Sequence, residues 1–100
     1  MSEKENKNNF DEIKDKRPSK AGELVGKEEE GENYYVKLDE ERVYELAPIA
    51  YYVWSMCTGE KTVSEIVQEI SEEAQLPQDQ VREPVAMIIN ELAKVSLVNV

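Results

Sequence analysis

Apolar side chains are thin over the first third of the chain and dense after it. Up to Asn33 they are Met1, Phe10, Ile13, Ala21, Leu24 and Val25, and all the others begin at Tyr34. Tyr34-Tyr35-Val36-Lys37-Leu38 is rich in aromatic and β-branched residues and places Tyr34, Val36 and Leu38 on one face of a strand. Asp39-Glu40-Glu41 makes a polar turn. Arg42–Leu46 then returns, with Tyr44 and Leu46 joining the core face and Val43 and Glu45 lying opposite, beside Tyr35 and Lys37. This hairpin leaves one long edge of unpaired backbone donors and acceptors. Upstream, 23–27 is a candidate short first strand, followed by a charged loop that turns at Gly31.

From Pro48 onward the period changes. Proline suits the first helical turn, where its missing N–H goes unused. Ile49, Ala50, Val53, Trp54 and Cys57 follow at helical spacing, which predicts a helix over about 48–58 with Gly59 as its stop. Tyr51 and Tyr52 are adjacent, so one faces the sheet and the other solvent or a partner. Thr62-Val63-Ser64-Glu65 fits a capping box, and Val63, Ile66, Val67, Ile70 and Ala74 form an amphipathic stripe behind it. After the Gln75-Leu76-Pro77-Gln78 turn, Asp79 is a candidate cap for a third helix. That helix carries Val81, Val85, Ile88, Leu92 and Val95 on one stripe, with a second row of Ala86, Ile89 and Ala93 beside it. Pro84 lies inside this pattern, which predicts a helix start near Arg82 or Glu83, or a bend in the first turns. The fold class expected is α+β: a two- to three-stranded antiparallel sheet followed by a three-helix bundle.

Composition divides the chain. The first twenty or so residues cannot bury enough apolar area to offset backbone ordering, which costs roughly 1–2 kcal/mol per residue. Residues 1–20 are therefore expected to be a disordered tail and residues 21–100 one small domain. The net charge of −10 is uneven as well: residues 1–33 carry 10 acids and 7 bases, residues 34–100 carry 12 acids and 5 bases. Lys37, Arg42, Lys61, Arg82 and Lys94 are too few a footprint for a phosphate backbone. A basic or hydrophobic polypeptide is the more natural partner for an acidic surface.

The chemistry that is missing narrows the function further. There is no histidine and one cysteine, so neither a His-activated nucleophile nor a cysteine-cluster zinc site can be assembled. Cys57 sits among residues that read as buried and is expected to be a packed core thiol. The four glycines form no phosphate-cradling loop, and the acidic clusters at 28–30, 39–41 and 72–73 lack the alternating ligands of a calcium loop. No cofactor is implied. No apolar run approaches the roughly 18 residues of a membrane span, and no signal peptide follows the early lysines. A soluble cytoplasmic protein without catalytic machinery is the expectation.

The order Val43-Tyr44-Glu45-Leu46-Ala47-Pro48, Ala50, Val53-Trp54, Gly59, Thr62-Val63-x-Glu65-Ile66-Val67, then Val81, Val85 and Leu92 resembles the PqqD family. This family is also known as the precursor-peptide recognition element of ribosomal peptide modification systems. The resemblance covers about residues 34–98. Ala47 stands where the family often has Asn, Ser96 where it often has Gly, and Pro84 is unusual within the third helix. The resemblance implies a winged-helix-like domain that binds the leader of a ribosomally made precursor peptide and presents it to a modifying enzyme, often a radical S-adenosylmethionine enzyme. It implies that the leader adds as a strand along Arg42, Val43, Tyr44, Glu45 and Leu46, beside a helix face of Arg82, Ala86, Ile89, Asn90 and Ala93. Ile89 and Ala93 can equally complete the core. Two other readings remain open from the residues: a winged-helix DNA-binding regulator using the helix–turn–helix of 62–93, and a structural adaptor subunit.

Overall fold

The computed structural model describes residues 9–100, and the expectation of disorder over residues 1–8 lies outside them. In chain order the elements are α1 (Asn9–Ile13), β1 (Ser19–Lys20), β2 (Glu23–Lys27), β3 (Tyr34–Asp39), β4 (Arg42–Leu46), α2 (Pro48–Met56), α3 (Val63–Ala74), α4 (Gln78–Lys94) and β5 (Val98–Asn99). The class is α+β, as the patterning predicts. An antiparallel sheet runs in the order β2-β3-β4, and a separate two-stranded ribbon joins β1 to β5.

The β3–β4 hairpin has the register Tyr34↔Leu46, Tyr35↔Glu45, Val36↔Tyr44 and Lys37↔Val43. Lys37 and Glu45 are thus diagonal neighbours. Lys37 makes its ion pair instead with Glu40, at 3.6 Å. Val36, at the centre of the middle strand, is fully buried. At the turn, Asp39 accepts from the Glu41 amide at 3.0 Å and from Arg42 Nε at 2.9 Å and Nη2 at 2.6 Å. These bonds, the one to the Arg42 guanidinium foremost, hold the Asp39 carboxyl below its usual pKa.

Helix α2 turns on the hairpin as the Leu-Ala-Pro junction requires. Tyr51 stacks on Tyr34 with ring centroids 4.0 Å apart and planes 13° from parallel. Tyr52 faces the other way and donates its hydroxyl to Glu73 on α3 at 3.1 Å. The helix ends at Met56, shorter than its spacing suggests, and Gly59 takes its positive φ of 86° in the loop beyond. The capping box of α3 is complete: Glu65 N–H donates to Thr62 Oγ1 at 3.1 Å and Thr62 N–H to Glu65 Oε1 at 2.8 Å.

Two expectations are corrected here. The first is a tail reaching residue 20. Ile13 is buried in the core, α1 packs on α4, and Pro18 is buried as well. The segment is held through its backbone. Lys16 and Lys14 carbonyls accept from Val63 and Ser64 N–H, each at 3.0 Å, which satisfies the first two amides of α3. Pro18 O accepts from Gly59 N–H at 2.9 Å, and Lys20 N–H donates to Cys57 O at 2.7 Å. The second correction concerns where α4 starts. Helix α4 begins at Gln78, with Pro77 rather than Asp79 at its N-cap, and continues through Pro84. The missing amide deprives the Gln80 carbonyl of its helical donor, but Gln80 and Pro84 are both exposed, so water can take that bond.

Helix α4 ends in a Schellman motif. Leu97 N–H donates to Leu92 O at 2.9 Å and Ser96 N–H to Ala93 O at 3.1 Å. Ser96 holds φ at 68°, in the left-handed region, while its side chain is exposed. A non-glycine residue there costs roughly 1–2 kcal/mol, part of which glycine returns to the unfolded chain as entropy. Ser96→Gly is expected to raise the melting temperature by about 3–6 °C in a thermal scan; no rise would mean that the strain is absorbed elsewhere.

Candidate functional site

Strand β4 has a sheet neighbour only on its β3 side among the described residues. On its other side the chain leaves a groove of about 540 Å³ between β4 and α4. Tyr44, Glu45 and Leu46 form the strand wall, and Ala50 of α2 closes one end. The helix wall is Glu83, Pro84, Met87, Ile88, Glu91, Leu92 and Val95, and Leu97 contributes from the turn beyond α4. Leu46, Leu92 and Leu97 are buried and make the floor, while Ile88 and Val95 are half-buried on the side. Met87 stands at the rim, 60 % exposed, and Val43 of the open strand is 53 % exposed. Apolar side chains left in water beside a strand without a partner carry a free-energy cost that a covering ligand removes.

The groove carries acids and no base among its lining residues. Glu91 is held only loosely by Lys94 at 3.7 Å, both about seven-tenths exposed. Glu83 makes no side-chain hydrogen bond or ion pair among the described residues, and Glu45 accepts from Asn33 Nδ2 at 2.6 Å. That bond draws the Glu45 carboxylate to the face shared with Tyr35. The Tyr35 hydroxyl is pushed above its ordinary pKa, first by desolvation and then by the fields of Glu45 and Glu28.

The site residues expected from sequence separate into two groups. Tyr44, Glu45 and Leu46 lie on the groove, and Arg42 and Val43 extend the same open strand. The helix residues do not join them. Ala86 and Ile89 are 1 % and 0 % exposed and belong to the core, Ala93 and Asn90 are half-buried, and Arg82 is exposed, all off the groove lining. The helix wall is instead the row that includes Met87 and Ile88. Two adjacent apolar rows on one helix give no sign, from periodicity alone, of which one meets the sheet. Met87, an apolar residue out of phase with both rows, is the one signal the sequence carries.

Cys57 is fully buried and its thiol donates to the Val53 carbonyl at 3.2 Å. Burial pushes its pKa up to about 12, against a smaller opposing effect from Lys20. Among the described residues no group of three or more His, Cys, Asp or Glu is gathered as a metal site, and no helix is long and apolar enough to cross a membrane.

Residues 34–98 match the model of the family described as Coenzyme PQQ synthesis protein D (PqqD). No curated protein and no solved structure matches the chain.

A raised thiol pKa keeps Cys57 protonated across the neutral range, and burial denies reagents access. At pH 8 the native chain is expected to show less than about one-tenth of the alkylation rate of the urea-unfolded chain. Equal rates would place the thiol at the surface and contradict the packing described here.

Proposed function

This chain belongs to the PqqD family, and on that premise we propose that it is a non-catalytic peptide-binding module. It binds the leader of a ribosomally synthesised precursor peptide and presents it, as a peptide chaperone, to a separate modifying enzyme, of the radical S-adenosylmethionine class. The observation that carries this reading is the juxtaposition of the open β4 edge with an apolar groove on α4. Strand addition needs both parts. The edge supplies main-chain hydrogen bonds that fix register, and the groove supplies contacts for alternate side chains. The leader runs along β4, with every second residue turned toward Ile88, Leu92 and Val95. The enzyme engages another surface, so that the leader is held while the rest of the precursor remains free.

Nothing in the site favours duplex DNA as its occupant. The outer side of α4 presents Arg82 and Lys94 beside Glu83 and Glu91, and Lys94 is paired with one of those acids. Major-groove entry needs a net positive face, which this helix lacks.

Titrating labelled candidate leaders into the protein tests the reading. Val43→Pro removes a main-chain donor from the edge and disfavours strand geometry. Circular dichroism then establishes that the variant is still folded. Met87→Glu puts a charge on the groove rim at an exposed position and is expected to weaken binding about tenfold, the equivalent of losing one partly buried side chain. A folded Val43→Pro protein that binds as well as the parent would rule out strand addition along β4.

A further inference from the structure

The rim acids are spaced for a particular ligand. Glu83, Met87 and Glu91 follow one another at intervals of four on α4, along the outer lip of the groove. Eight residues of helix separate the two glutamates, which at about 1.5 Å per residue is roughly 12 Å along the axis. An extended chain advances about 3.3 Å per residue, so four of its residues cover roughly 13 Å. In a strand, residues four apart point to the same face, with the residue midway between them also on that face.

We infer that the groove selects an extended peptide segment of the form basic–x–apolar–x–basic, with Lys or Arg four residues apart facing Glu83 and Glu91. This inference rests on the strand-addition reading above and adds the side-chain code that the edge itself cannot read. Charge complementarity is the reason for committing to this occupant. The groove lining holds no Lys or Arg to repel a cation. Glu83 has no competing partner among the described residues, and Glu91 has only the exposed Lys94 at 3.7 Å to surrender. The apolar residue at the centre falls between the two carboxylates, against Met87 and Ile88. Lysines three apart cannot do the same, because one of them turns to the opposite face.

Synthetic peptides test this by fluorescence anisotropy against the full chain at 50 mM and 500 mM salt. The probe is an acetylated Thr-Ser-Lys-Thr-Val-Thr-Lys-Ser-Thr, compared with twins carrying Gln or Glu at both Lys positions and with one whose lysines are three apart. Each exposed pair contributes only a few tenths to one kcal/mol. The Lys peptide is therefore expected to bind about five- to tenfold more tightly than the Gln twin at low salt, with the Glu twin weaker still. High salt should narrow the gap. The Glu83→Lys/Glu91→Lys double variant, changed at two exposed positions, should reverse the order of the Lys and Glu peptides. Equal binding of Lys and Gln peptides, or an order that survives the reversal, overturns the charge code while leaving strand addition standing. Failure of every peptide to bind, with candidate leaders failing too, overturns both.

Discussion

The indole N–H of Trp54 is shared between two carbonyls, Ala21 O and Leu97 O, each 3.2 Å away. Those two oxygens come from opposite ends of the chain, and Trp54 sits near its middle. Ala21 N–H also donates to Leu97 O at 2.8 Å, which closes the arrangement. Everything that shapes the groove is referred to this point. Leu97 follows the end of α4, Ala21 leads into β2, and Trp54 fixes α2 and, through Tyr51 at 5.9 Å, the stack on Tyr34 of β3. Lys20 covers the outer side of the ring, its Nζ 4.9 Å from the centroid. A buried donor without an acceptor costs about 1–3 kcal/mol, a large share of what holds a domain of this size together. The aromatic ring alone would fill the space. The N–H sets which segments meet there.

The groove exists because α4 spends its apolar residues in two directions. Val81, Val85, Ala86, Ile89 and Leu92 are buried in the core. That leaves Met87, Ile88 and Val95 with no intramolecular face to cover them fully. A helix committed to one side would show a single stripe, and the sheet edge would then stand alone. Pro84 sits on the same wall, and a proline in the interior of a helix costs about 3 kcal/mol through the lost hydrogen bond and the clash of its ring. Its exposed setting is what allows the helix to run on.

Much of this was legible in the residues, and what was hidden has physical causes. The hairpin face, the Tyr51 and Tyr52 division, the capping box and the core place of Trp54 all follow from side-chain type and spacing. The ordered segment from Asn9 to Lys20 does not, because its few apolar anchors, Phe10, Ile13 and Pro18, are supplemented by main-chain carbonyls at Lys14, Lys16 and Pro18, which any sequence possesses. Its composition still reads as a tail. The start of α4 was misplaced for a related reason: an exposed proline is tolerated where a buried one would break the helix. The strand wall of the groove is readable from alternation, since the hairpin it predicts leaves β4 at the edge of the sheet. The helix wall is less readable, since Ile89 and Ile88 are neighbours and only packing decides that Ile89 turns inward and Ile88 lines the groove. Ala47 and Ser96 both fall at helix ends: Ala47 precedes α2 with no side-chain cap bond, and Ser96 holds the left-handed turn after α4.

Ser19 faces Asn99 and Lys20 faces Val98 across the short β1–β5 ribbon. Bringing together positions about 80 residues apart costs a flexible chain roughly 4 kcal/mol of closure entropy. Here that cost is offset by a few bonds around one tryptophan in the middle of the chain. The chain leaves the fold at this ribbon, but it enters earlier, where α1 packs on α4. A body tethered through the α1 side would therefore start beside α4, and one tethered through the ribbon would start from β5, so the point of attachment as well as the leash length would govern how readily it reaches the lip of α4.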